Sequence, residues 1–152
     1  MTHPESPRSL ALRKRQALHR LDHDQDVWVA TADGDGVPCL VPLYFWWDGH
    51  AVWIATRGTN PTGVNLSRSG LARLSFGHTR DVVLMAGTAT DFARDGLPAG
   101  VGDAFAAKFG WDPREDHPSY RYFRIVPELI QAWGTVAEMA DRTLMRDGRW
   151  LL

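Results

Sequence analysis

The sequence predicts a mainly β protein, an antiparallel β-barrel with a few peripheral helices. Three observations lead there. Five β-rich runs, VWVATA, PCLVPLYFWW, AVWIATR, LARLSFGHT and DVVLMAGTATDF, follow one another between Val27 and Phe92. Most of the links between them are short turn signals, Asp33-Gly34-Asp35-Gly36, Asp48-Gly49 and Thr79-Arg80-Asp81, which suit hairpins rather than the helical crossovers of a parallel sheet. The 152 residues are enough for one domain with a self-sufficient core, and they show no internal repeat, low-complexity segment or linker.

Each element has a local reason. Ser6-Pro7 reads as N-cap and first helical position of a helix over about residues 7–21. Leu10, Ala17, Leu18 and Leu21 fall on one face of it, and Arg13, Lys14, Arg15 and Gln16 on the other. The acidic run Asp22 to Asp26 ends it. Val27 to Ala32 is the first strand, and Pro38 to Trp47 a long second one. Pro42 inside that strand calls for a bulge or an edge position whose N–H the ladder does not need. Ala51 to Arg57 forms the third strand. Asn60-Pro61 starts a short helix that Gly70 closes. Two further strands flank Thr79-Arg80-Asp81. A helix from about Pro98 to Phe109 follows, with Val101, Phe105 and Phe109 on one stripe and Gly110 as its stop. Trp111 to Tyr120 is a polar loop. Two short strands, YRYFRIV and ELIQAW, are separated by Pro127, and residues 135–152 form a C-terminal tail.

Composition excludes several classes. A formal net charge of -1, with no basic cluster among aromatics, gives nucleic acid or an anionic membrane no electrostatic purchase. The single Cys39 rules out an internal disulfide framework, and its apolar setting suits a buried, inert thiol. The N-terminal segment is too polar for a signal peptide and no apolar run approaches membrane-spanning length, so a cytoplasmic protein is expected. Seven tryptophans call for flat apolar surfaces in the core, at a subunit interface or beneath a planar ligand.

Metal and hydrolase chemistry fare poorly. Asp22, Asp24 and Asp26 have the first spacings of a calcium loop, but Val27 stands where glycine must turn the chain and Asp33 where a bidentate Glu belongs. His19 and His23 are four apart, yet Arg20 replaces the Glu of a zinc-protease helix, and His3, His50, His78 and His117 are scattered. No metal site, nucleophile elbow, P-loop or dinucleotide fingerprint is expected. The stretch ATRGTNPTGVNLSRSG, Ala55 to Gly70, fits two readings. It is either a capped strand–helix turn or an anion cradle, in which first-turn N–H groups are joined by Arg57 and the hydroxyls of Thr56, Thr59 and Thr62.

The order of ATADGDGVPCLVPL, WIAT with its following helix ending in NL, VVLMAGTAT and the terminal YFRIVPELIQAW resembles the FMN-binding split-barrel superfamily of pyridoxamine 5'-phosphate oxidase and its deazaflavin-dependent relatives. The resemblance covers most of Val27 to Trp133. It implies a six-stranded split barrel, PNPOx-like, that forms a homodimer with a cofactor, FMN or coenzyme F420, at each end of the interface. It places the ring along Leu40 to Tyr44, at the backbone of Val41, Pro42 and Leu43 and beside Tyr44. The phosphate falls near Thr56, Arg57, Thr59, Thr62 and Asn65. Trp133 closes the partner's site or is a core or interface aromatic; Arg80 reaches across the dimer or pairs with Asp81. The family's vitamin B6 oxidases carry Arg-Lys where this chain has Pro61-Thr62, and cations where Leu40 and Phe45 stand, so their reaction is not expected. The aromatic LYFWW strand suits a planar apolar substrate or the deazaflavin. The implied activity is a two-electron oxidoreductase on a small planar molecule, with Tyr44, Tyr120 or solvent as proton donor. The alternative is a carrier of cofactor, haem or tetrapyrrole on the same fold, or an assembly module that has lost its cofactor.

Overall fold

Every β-rich run of the sequence contributes a strand in the computed structural model, which describes residues 6–152 and so leaves His3 outside the described residues. Strands β1 (Asp26–Ala32), β2 (Pro38–Tyr44), β3 (Trp46–Trp47), β4 (Val52–Arg57), β5 (Leu71–His78), β6 (Asp81–Ala93) and β7 (Tyr120–Trp133) pair antiparallel in the order β2-β1-β5-β6-β7-β4-β3. A hairpin of β8 (Thr143–Arg146) and β9 (Arg149–Trp150) adds to β7. Helices α1 (Leu10–His23), α2 (Pro61–Ser69) and α3 (Val101–Phe109) pack around the sheet.

β2 and β3 stand at opposite ends of that order, yet only Phe45 separates them along the chain. The sheet must therefore curl until its ends meet. β2 comes up against β4 with no hydrogen-bonded ladder between them, which leaves a barrel split along one seam. The expected single strand Pro38–Trp47 is thus corrected to two strands on opposite edges. Phe45, fully buried, plugs the crossing: its N–H donates to the Gln25 carbonyl at 3.0 Å, and its ring meets Phe76 edge-on at 4.9 Å.

Hydrogen-bond parity explains Pro42. The Asp33 N–H donates to Val37 O and the Phe45 N–H to Gln25 O, so the pairs Ala30–Leu40, Trp28–Pro42 and Asp26–Tyr44 are the non-hydrogen-bonded ones. Their backbone groups on β2 point to its free edge, and the missing N–H of Pro42 costs no ladder bond. The edge position expected of this proline is observed.

The barrel interior follows the strand period. Val27 and Val29 of β1, Leu74 and Phe76 of β5, Val83 and Met85 of β6 and Ile125 of β7 point inward, and Ala17 and Leu21 of α1 cover one end. A second, smaller cluster lies outside the barrel, where α3 presses Val101 and Phe105 onto Trp53 and Tyr122.

Several expectations need correction. Ser9, not Ser6, caps α1; its hydroxyl accepts the Leu12 N–H at 3.1 Å. Arg13 belongs to the buried face of that helix, not the polar one. It is 2% exposed and donates to the carbonyls of Ala132 (2.9 Å) and Asp141 (2.7 Å), which end β7 and a 3-10 turn over Val136–Asp141. α3 begins at Val101 rather than Pro98, and the loop after it contains a 3-10 turn, Pro113–Glu115. YRYFRIV and ELIQAW are one strand: Pro127 falls where the β6–β7 register shifts opposite Gly87, so the ladder resumes beyond it. The C-terminal tail carries the β8–β9 hairpin, in which β8 pairs with β7 and β9 with β8. No helix among the described residues is long and apolar enough to cross a membrane.

Candidate functional site

The seam between β2 and β4 opens into a cavity of about 1080 Å³. One wall is Pro42, Leu43 and Tyr44 of β2; facing it are Ala55 and Thr56 of β4 and Asn60 at the start of α2. The Asn60 amide donates to Thr56 Oγ1 at 3.2 Å, so this N-cap residue braces the strand end instead of the helix amides. The backbone N–H groups of Thr62 and Gly63 accordingly have no main-chain acceptor among the described residues. Gly63 lets the helix sit this close: a Cβ there would lie 2.5 Å from the Arg57 carbonyl oxygen.

A third wall is aromatic and comes from α3, the loop after it and the start of β7. Phe109 stacks on Tyr44 with ring centres 4.5 Å apart and planes 14° from parallel; Trp111 and Tyr120 meet edge to face at 5.3 Å. The Trp111 indole N–H donates to Asp116 Oδ2 at 2.8 Å. That bond, with the His117 N–H and the nearby Arg57 charge, holds the Asp116 carboxyl below the usual carboxylate range, although burial opposes the shift. The far end is formed by Asp24, Gln25 and Asp26, with Trp28 and Ser75 on the outer sheet face. Behind it Lys108 donates to the carbonyls of Asp24 (2.6 Å) and Phe45 (2.7 Å). Burial pushes this ammonium's pKa down, against the pull of the Asp24, Asp22 and Asp26 charges.

The residues expected to form a site are placed unevenly. Pro42, Leu43, Tyr44 and Thr56 line the cavity. Val41 and Leu43 turn their side chains toward the core, so the free-edge backbone groups belong to Leu40, Pro42 and Tyr44. Arg57 ends β4, exposed, with its guanidinium 5.7 Å from the Tyr120 ring centre; Thr59 is exposed in the turn. Thr62 and Asn65 are buried on the other side of α2. Thr62 Oγ1 lies 3.7 Å from the Sγ of half-buried Cys39, and Asn65 Nδ2 donates to Thr31 Oγ1 at 3.1 Å. Arg80 is exposed in the β5–β6 turn, and Asp81 pairs with Arg8 and Arg20 rather than with it. Trp133 ends β7, opposite Val82 and beneath Arg142 at 5.8 Å. Tyr120 begins the same strand, roughly 40 Å away along it. Trp133 does not line the cavity of its own chain.

Phe45 and Trp47 of the LYFWW run are core residues, so Phe45 is not a cavity residue standing in for a cation. The aromatic wall instead uses Phe109, Trp111 and Tyr120. Phe109 carried a signal as the last member of the α3 stripe, but that spacing also suits a core residue. Arg121, paired with Asp91 at 2.6 Å and passing its side chain beside Gly58, is a second cation near α2 that strand patterning gave no reason to single out.

The split barrel, with a cavity at its seam and a helix N-terminus at one end, agrees with the comparison to known proteins. A family model for pyridoxamine 5'-phosphate oxidase matches residues 14–134. The chain belongs to the pyridoxamine 5'-phosphate oxidase family. Solved structures share its split-barrel fold at low identity. An F420 reductase is 14% identical over 74% of this chain and 93% of its own, with a TM-score of 0.61. HutZ, the haem storage protein of Vibrio cholerae, is 14% identical over 90% of this chain and 98% of its own, with a TM-score of 0.69. General stress protein 26 of Bacillus anthracis is 16% identical over 82% and 95%, with a TM-score of 0.62. Among curated proteins none matches this member of the family.

Proposed function

We propose that the protein is a flavin- or deazaflavin-dependent oxidoreductase, working as a homodimer, that acts on a small planar substrate. The observation that carries this reading is the cavity at the seam. A strand edge with unpaired backbone groups runs along one side, Asn60 at the start of α2 lines one end with Arg57 beside the lining residue Tyr120, and a wall of stacked rings faces the strand. Membership of the oxidase family supports it.

When bound, FMN or coenzyme F420 would supply the two-electron chemistry. The chain's own residues have defined tasks. Thr56, Arg57, Thr59 and the amides of Thr62 and Gly63 would hold the phosphate, by main chain rather than side chain at Thr62. Asn65, sealed against Thr31, would act by fixing α2. The free-edge groups of Leu40, Pro42 and Tyr44 would hydrogen-bond the ring edge. Phe109, Trp111 and Tyr120 would exclude water and align a flat substrate. Trp133 and Arg80 would serve the cavity of the second copy.

A second reading, a carrier of haem or another tetrapyrrole, draws on the size of the cavity and its aromatic wall. Among the described residues the lining includes no histidine, cysteine or methionine, which leaves Tyr44 and Tyr120 as the customary kind of haem-iron ligand on these walls. This tilts the choice toward the oxidoreductase. Absorption spectra of the purified protein mixed with FMN, F420 or haem test the proposal. Saturable binding of FMN or F420, followed by oxidation of the reduced form by quinones or enones, is expected; binding without turnover means a carrier, and no binding of either coenzyme overturns the reading.

A further inference from the structure

We infer that the end of the cavity away from α2 takes a planar group bearing a positive charge. The inference rests on reading the cavity as a substrate site, and it narrows the substrate class from planar to planar and cationic. Asp26 opens β1 and stands opposite Tyr44, with Trp28 opposite Pro42 two residues on. Both are non-hydrogen-bonded pairs, whose side chains share the outer face and approach most closely. One carboxylate therefore neighbours two rings, Tyr44 across the ladder and Trp28 two residues along its own strand, which are 44% and 47% exposed although Phe109 covers one face of Tyr44. Asp24, beside it, sits at the C-terminal end of α1, where the helix dipole adds negative potential.

The nearby cations are already engaged. Arg20 pairs with Asp24 at 3.4 Å and with Asp81 at 3.5 Å. Lys108 is held by two backbone carbonyls and the Phe45 ring, 4.4 Å from its centre, and its one charge is shared among Asp24, Asp22 and Asp26, three carboxylates to one ammonium. Arg57 and Asp116 lie together at the α2 end. Asp26 itself has no ion-pair partner among the described residues. Ring faces attract cations, and an exposed carboxylate at the same spot adds to that attraction. An anionic planar molecule would meet Asp26 head-on.

Three acridines of one shape separate charge from stacking: N-methylacridinium, acridine in mildly alkaline buffer where it is neutral, and acridine-9-carboxylate. Each is titrated into the full-length protein and followed by quenching of tryptophan fluorescence. The cation is expected to bind about tenfold more tightly than neutral acridine, and the anion more weakly than either. Asp26→Asn should bring cation and neutral ring within about twofold of each other and leave the affinity for the neutral ring in place. Asp22→Asn, which changes a carboxylate that does not line the cavity, should preserve the preference. Equal binding of cation and neutral ring by the unaltered protein, or a preference that survives Asp26→Asn, overturns the inference. FMN and F420 titrations run alongside keep the two ideas apart. Charge preference without coenzyme binding sinks the oxidoreductase and keeps the cation site; coenzyme binding without charge preference does the reverse.

Discussion

Glu138 is 1% exposed and accepts hydrogen bonds from the Arg8 backbone N–H (2.8 Å), the Arg8 guanidinium (2.8 and 2.9 Å) and the Gly134 N–H (2.8 Å). The Arg13 guanidinium stands 3.9 Å away, so one carboxylate ties the segment before α1, the helix itself and the end of β7 together. The Arg8 hydrogen bonds are the main reason its carboxyl is held far below the ordinary value of 4.5, against the opposing effect of burial. A carboxyl whose folded-state pKa is depressed contributes stability that is present above its unfolded pKa and lost as pH falls toward the folded value. Glu138→Gln should therefore cost about 2–3 kcal/mol near neutral pH, read from urea unfolding midpoints. The difference from the unaltered protein should shrink as pH drops below about 4.5. Neither Arg13 nor Glu138 was legible in the sequence. Helical periodicity finds buried positions by their apolar residues, and an arginine beside Lys14 and Arg15 looks like more of a solvated face. Lys108 is a further case, since what it binds is main chain. Lys108→Met should leave two carbonyls without their donor and destabilise the fold by about 1–3 kcal/mol, with a matching fall in thermal midpoint.

Helix α2 and strand β7 show how far local signals carry. Asn60-Pro61 and Gly70, with a φ of 67° at the glycine, bound α2 as the turn chemistry required. Its closeness to β4 is a tertiary fact, and Gly63 carries it. Gly63→Ala should push the first turn away from Arg57 and Gly58, at a cost of about 1–3 kcal/mol in unfolding experiments. FMN or F420 should then bind more weakly than that loss of stability alone would bring about, because the amides of Thr62 and Gly63 move with the turn; unchanged coenzyme affinity in a folded Gly63→Ala protein would remove the phosphate from this helix. In β7, Pro127 reads locally as a strand breaker. The break is absorbed by the register shift opposite Gly87, where the chains approach so closely that a Cβ on Gly87 would lie 2.7 Å from both Ile125 Cγ2 and Val126 O. A proline signals that a ladder bond is missing, not that the strand ends. The Pro38–Trp47 run failed for the opposite reason: continuous apolar character says nothing about which neighbour each half pairs with, and Phe45 divides partners at opposite ends of the sheet.

The antiparallel barrel was legible because hairpin spacing constrains topology strongly; the use of β2 and β4 as cavity walls was implied only by the family resemblance. The aromatic wall came from neither. It depends on α3 folding back over the seam, a long-range contact with no local pattern. The tryptophans divide in the same way: Trp53 is core, Trp111 faces the cavity, and Trp28 is exposed on the sheet. That outer sheet face is where the monomer falls short. Leu40, Leu71 and Val126 project from it, each at least 44% exposed, and the register places Trp133 on the same face, while Trp28 and Tyr44 rim the cavity beside them. An apolar sheet face of this extent calls for a cover, and a second copy related by a twofold axis would bury it with its own equivalent. The cavity opens onto that face through Trp28 and Ser75, so assembly and ligand binding should be coupled. Leu40→Asp changes an exposed side chain at 61% and should leave the barrel folded. In sedimentation velocity the unaltered protein should run as a dimer and Leu40→Asp as a monomer, with FMN or F420 affinity falling at least tenfold as the partner's Trp133 and Arg80 are withdrawn. A Leu40→Asp monomer that still binds coenzyme at full strength would show that one chain completes its own site and that the exposed face serves assembly alone.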